Sequence, residues 1–115
     1  MAGQRPTIST HVLDLATGEP AAGVGVALFR LDADGSPEFL GELLTDADGR
    51  IRDLLGGEEL TEGDYQLAFD VGAYHDDPDA FFQSAAVALR IIDAGRSYHV
   101  PLLLSPFGMS TYRGS

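Results

Sequence analysis

Cysteine is absent from the 115 residues, and so is lysine. Without cysteine there can be no disulfide framework, no thiolate metal site and no cysteine nucleophile. A domain this small must be held by packing, with oligomerisation a natural supplement. The absence of lysine leaves seven arginines against 18 acids, a formal net charge of −11. A surface of that sign repels phosphate backbones and anionic headgroups, which argues against nucleic acid and membrane as partners. Long apolar runs are missing as well. The strongest candidate, 100–104, is broken by Pro101 and far too short to span a bilayer. Residues 1–7 carry Arg5 but neither the apolar core nor the cleavage site of a signal peptide, so a cytoplasmic protein is expected. Hydrophobic residues make up 44%, enough for one modest core in one domain.

What is present is a succession of short apolar runs separated by turn residues, the pattern of an all-β sandwich. Strands are predicted over 8–15, 24–31, 39–45, 50–54, 63–71, 85–92, 97–104 and 107–112. In the first, alternation places Ser9, His11 and Leu13 on one face and Thr10, Val12 and Asp14 on the other. The run 85–92 has the alanines of a helix, but Val87, Leu89 and Ile91 alternate and Ile91-Ile92 is β-branched, which favours strand. Asp32-Ala33-Asp34-Gly35 and Asp46-Ala47-Asp48-Gly49 are predicted to be hairpin turns, because Asp-Gly accepts the positive φ that tight hairpins need. Residues 72–80, with Pro78 among ionisable side chains, read as a loop or one helical turn. No linker or repeat interrupts the pattern. One domain over 8–115 is expected, preceded by a flexible segment, 1–7.

Few motifs survive inspection. Both Asp-x-Asp-Gly turns resemble the start of a calcium loop, yet the outer ligand positions hold Leu44 and Leu55 in one and Arg30 and Gly41 in the other. Gly23-Val24-Gly25 lacks the third glycine and the following helix of a dinucleotide fingerprint. His75 lies beside Asp76 and Asp77 and is expected to face solvent. His11 and His99 differ, since each sits in an apolar strand where an unsatisfied imidazole is expensive. Each suits a hydrogen-bonded structural role or a catalytic one, and no spacing between them supports a metal site. Arg50, with Arg52 on the same face, is either a solvated strand edge or a guanidinium presented to a planar acidic ligand. At the other end of the chain, Ser110-Thr111-Tyr112-Arg113-Gly114-Ser115 follows an apolar strand with no polar trailing segment, which suggests a docked terminus.

These residues carry a resemblance. Ser9-Thr10-His11-Val12-Leu13-Asp14, Gly18-x-Pro20-Ala21 and Thr45-Asp46-x-Asp48-Gly49-Arg50 resemble the N-terminal half of the 5-hydroxyisourate hydrolases, a transthyretin-like family. The segment from Tyr98-His99-Val100-Pro101 to Ser105-Pro106-Phe107-Gly108, with the closing Tyr-Arg-Gly-Ser, resembles their C-terminal signature. The resemblance implies a transthyretin-like sandwich of two antiparallel sheets with one short helix near 72–79. It also implies a homotetramer with active sites where dimers meet, and no metal or organic cofactor. The reaction implied is hydrolytic opening of 5-hydroxyisourate to 2-oxo-4-hydroxy-4-carboxy-5-ureidoimidazoline, in the degradation of urate to allantoin. By motif, His11, Arg50, His99 and Ser115 are the expected catalytic residues, and His11, Arg50, Tyr112, Arg113 and Gly114 are expected to contact substrate. Either histidine could be the base. The rival reading is a non-catalytic transthyretin-like carrier, which would have no need of this set. Gln83-Ser84, Ser97 and Met109 depart from the family pattern without touching these positions.

Overall fold

The computed structural model describes residues 5–115, which form two packed β-sheets and one short helix. The strands are β1 (Ile8–Asp14), β2 (Glu19–Pro20), β3 (Gly25–Leu31), β4 (Pro37–Leu44), β5 (Arg50–Ile51), β6 (Gly63–Phe69), β7 (Ala85–Ile91), β8 (Tyr98–Ser105) and β9 (Gly108–Thr111). The helix, α1 (Val71–His75), lies between β6 and β7. One sheet has the order β2-β1-β8-β9, with β5 also paired to β1, and the other the order β4-β3-β6-β7.

Alternation decides which side chains meet between the sheets. On β1, Ile8, Thr10, Val12 and Asp14 are buried while Ser9, His11 and Leu13 face outward. From β8, Val100, Leu102 and Leu104 join them, opposite Val26 and Leu28 of β3 and Tyr65, Leu67 and Phe69 of β6. Burial of each such Leu or Phe contributes roughly 2 kcal/mol before entropy is charged against it. The outer face of the β1–β8 sheet is thereby left to a mixed set, Ser9, His11 and Leu13 from β1 and His99, Pro101 and Leu103 from β8.

Several expectations need amendment. Every strand pair is antiparallel except β1 with β8, which run parallel from Ile8↔Tyr98 to Asp14↔Leu104. The strand predicted over 50–54 stops at Ile51, because Asp53 turns the chain by accepting the backbone N–H groups of Leu55 and Gly57. Of the two predicted hairpin turns, Asp32–Gly35 does join the paired strands β3 and β4. Asp46–Gly49 does not. It carries the chain from β4 in one sheet to β5 in the other, with Asp46 accepting from the N–H groups of Asp48 and Arg50. Thr7, inside the expected flexible segment, is tied to the sandwich through Ser97 Oγ, the Tyr98 N–H and the Asp53 carboxylate. Residues 1–4 of that segment lie outside the described residues. His75 is not solvent-facing: it closes α1 half-buried, with Nε2 buried and unpartnered. Among the described residues no helix is long and apolar enough to cross a membrane.

Candidate active site

β1 has two neighbours at the level of His11, and the site is assembled across all three strands. On one side β5 pairs His11 with Arg50, and on the other β8 pairs Ser9 with His99. Neighbouring strands lie about 4.8 Å apart, so Arg50, His11, Ser9 and His99 share one small area of the outer face. Their proximity follows from alternation plus register and needs no long loop.

Gly49 sets Arg50 in place. Its φ of 77° suits glycine, and a Cβ there would lie 2.4 Å from the Val12 carbonyl oxygen. The same close approach lets the Val12 N–H donate to the Gly49 carbonyl at 2.7 Å. The turn can therefore press against β1 only with glycine at this position. Arg50 then enters the cleft without a carboxylate partner, since the single side-chain ion pair among the described residues joins Arg90 to Asp64.

A cleft of about 220 Å³ is lined by Ser9, Thr10, Arg50, Ile51, Arg52 and His99. His99 is half-buried in it, and Ser9 Oγ lies 2.8 Å from its Nδ1. Burial pushes the His99 imidazole below its ordinary value, and the charges of Arg50 and His11 push in the same direction. His99 is thus held neutral at neutral pH and able to accept a proton. His11 is fixed differently. Its Nε2 lies 2.9 Å from the Asp48 carbonyl oxygen, which can only accept, so Nε2 carries hydrogen and Nδ1 is the nitrogen left free.

The C-terminal segment reaches the site through its backbone. Gly114 bridges antiparallel to His99, its N–H donating to the His99 carbonyl at 2.8 Å. A Cβ on Gly114 would stand 2.7 Å from His99 Cδ2, so only glycine can lie against this imidazole. Tyr112 and Arg113 are placed elsewhere within one chain. They line a larger cleft of about 610 Å³ along β7, with Arg96 and Tyr98, while Ser115 is exposed beyond Gly114. Of the expected site residues, then, His11, Arg50, His99 and Gly114 come together in a single chain, and Tyr112, Arg113 and Ser115 do not join them there. Among the described residues no group of three histidine or acidic side chains clusters as metal ligands would.

Three participants escaped the sequence reading. Ser9 shares the outward face with His11, a detectable signal, but nothing local pairs it with a histidine 90 residues away. Arg52 shares the Arg50 side in the sequence pattern, but only the folded chain brings it into the cleft. The Asp48 carbonyl is a backbone group, invisible to side-chain patterns.

Residues 8–114 match the HIUase/Transthyretin family. The chain is 44% identical to a 5-hydroxyisourate hydrolase of Caulobacter vibrioides, across 94% of this chain and 97% of that one. Among solved structures it is similar to the 5-hydroxyisourate hydrolase of Klebsiella pneumoniae, with 40% identity, a TM-score of 0.81 and coverage of 95% and 99% of the two chains. It is also similar to sea bream transthyretin in complex with thyroxine, with 30% identity, a TM-score of 0.84 and coverage of 93% of each.

Proposed function

This chain belongs to the HIUase/transthyretin family, and within it we propose the activity of a 5-hydroxyisourate hydrolase acting in urate degradation. The observation that carries the reading is the juxtaposition of a half-buried His99, His11 and an Arg50 that forms no ion pair among the described residues, all on one outer face. Ring opening requires water to attack a ring carbonyl carbon and the adjoining carbon–nitrogen bond to break. His99 takes the proton of the attacking water, and the proton then passes to the departing ring nitrogen. Arg50 binds the substrate oxygens and faces the oxyanion as it develops. His11, oriented by Asp48, completes the proton relay or holds substrate through its free edge.

Tyr112, Arg113, Gly114 and Ser115 close the site in the same reading. Gly114 fits because its backbone already abuts His99. Tyr112, Arg113 and Ser115 are exposed in the single chain, open to contact with a neighbouring copy of a homotetramer.

The test is loss of freshly generated 5-hydroxyisourate, followed against its spontaneous decay. The wild-type protein should accelerate it, and His11→Ala, Arg50→Ala and His99→Ala should each slow turnover by at least about a hundredfold, the usual scale for a general base or oxyanion group. His75→Ala should leave turnover nearly unchanged. A wild-type rate no faster than spontaneous decay would remove the hydrolase reading.

A further inference from the structure

Ser9 and His99 are register partners across the parallel β1–β8 pair, and both line the Arg50 cleft. We propose that Ser9 is a positioning residue for His99, its hydroxyl accepting the Nδ1–H so that the lone pair of the neutral ring is held at Nε2. This rests on His99 being the proton acceptor of the hydrolysis.

A neutral imidazole has one N–H and one lone pair, and the partner of either nitrogen selects the form. A serine hydroxyl can donate or accept, so the 2.8 Å separation alone leaves two arrangements. If Ser9 donated, Nδ1 would spend the lone pair on serine, and Nε2 would present a hydrogen to an incoming water. With Ser9 accepting, Nε2 faces that water with its lone pair. Proton uptake then leaves the Nδ1–H···Oγ bond in place and strengthens it, because the donor becomes charged. Water gives its proton to Nε2 and its oxygen to the carbonyl carbon; Nε2 returns the proton to the leaving nitrogen. Ser9 itself gains and loses nothing.

The packing holds the ring on both sides. Gly114 lies against Cδ2, on the edge that ends at Nε2, while Ser9 engages the opposite nitrogen. Rotating the imidazole by half a turn would break the serine contact and bring a different edge against the Gly114 backbone. His11 is wired the other way round, with hydrogen on Nε2 directed at Asp48. The two histidines therefore present different nitrogens for use, and Ser9 makes the difference at His99.

The experiment compares Ser9→Ala, Ser9→Thr and His99→Ala with the wild type, and reads the His99 tautomer by nitrogen-15 NMR at a pH where the ring is neutral. Ser9→Ala should lower kcat by about ten- to a hundredfold with little change in KM, the scale of a misoriented general base. Ser9→Thr should restore most of it. In the wild type His99 should carry its hydrogen on Nδ1, and Ser9→Ala should lose that preference. A wild-type His99 protonated on Nε2, or a Ser9→Ala protein with unaltered kcat, overturns the role of Ser9 while His99→Ala stays inactive. If His99→Ala turns over like the wild type, the proposed mechanism falls first, and the role of Ser9 with it. The wild-type tautomer decides the matter even if Ser9→Ala does not fold.

Discussion

His99 shows how much of a site can reside in the surroundings of one ring. Its proton affinity is depressed by burial and then by Arg50 and His11, so it should stay unprotonated down to below the ordinary value of 6.5. In the proposed mechanism the base is lost as pH falls through that lowered value, so kcat/KM should be flat through neutrality and decline on the acid side of 6.5. Arg50→Gln removes one repelling charge and should move that limb upward, toward 6.5, as well as slowing the reaction. A pH profile of kcat/KM for the two proteins checks both the position and the direction. Gly114 supplies a second residue-scale prediction. In Gly114→Ala the new methyl meets His99 Cδ2 at 2.7 Å, so either the ring or the terminal backbone must shift. Turnover should fall by about tenfold or more, as for other small misplacements of a catalytic group. Because Gly114 is only half-buried, the melting temperature should barely change. Part of this candidate site is legible in the sequence: His11 and His99 stand out as costly side chains in apolar strands, Arg50 as a guanidinium at the start of a strand, and the motif resemblance groups them. The part that was not legible is what orients them, a hydroxyl from a distant strand and a backbone carbonyl.

At the scale of elements, β1 is the member on which the site depends, and its far end is anchored by Asp14. The buried carboxylate accepts the Tyr74 hydroxyl at 2.7 Å and the Ala16 and Thr17 N–H groups, joining β1 to α1. Burial works to raise the Asp14 pKa, but Tyr74 and these N–H donors outweigh it and the net shift is downward. The Tyr74 phenol is pushed up to about 12 by burial and by the same carboxylate. A depressed carboxylate contributes stability that is present above its unfolded value of 3.8 and is lost as pH falls through the lower folded value. Asp14→Ala should cost about 2 kcal/mol at neutral pH, the scale of leaving a buried donor unsatisfied, and should blunt the acid-induced loss. Denaturant melts of both proteins at neutral and acid pH measure this. The departures from the family pattern are absorbed at this scale too. Ser97 receives the Thr7 N–H, Gln83 packs against Gly72, and Met109 packs on the core away from His99. Alternation revealed the faces of β1, β7 and β8 because it is local. The parallel pairing of β1 with β8, the two-residue β2 and the sheet-crossing Asp46 turn depend on distant partners, and periodicity carries no information about those.

For the whole molecule, the proposed tetramer places opposing demands on the chain. The outer face of the β1–β8 sheet must be covered by other copies, yet each brings a net charge of −11. Salt should therefore favour assembly by screening that repulsion. Light scattering at micromolar protein should return the mass of four chains, with dissociation appearing first on dilution at low ionic strength. A stable monomer under both conditions would remove the subunit interface from the proposed site. Another whole-molecule consequence follows from the parallel β1–β8 pair. Ser9 and His99 touch across a sequence separation of 90, so one half of the proposed catalytic face is made early in synthesis and the other half late. While the ribosome is still adding β6 and β7, β1 has no partner on the side that β8 will take, and that side is an open strand edge. Closing so long a loop makes the pairing a late and slow event, and the emerging chain is exposed to wrong strand pairings until then. The face proposed to be catalytic is thus also a late seam to close, and a truncated translation product would lack the seam rather than just its final stitches.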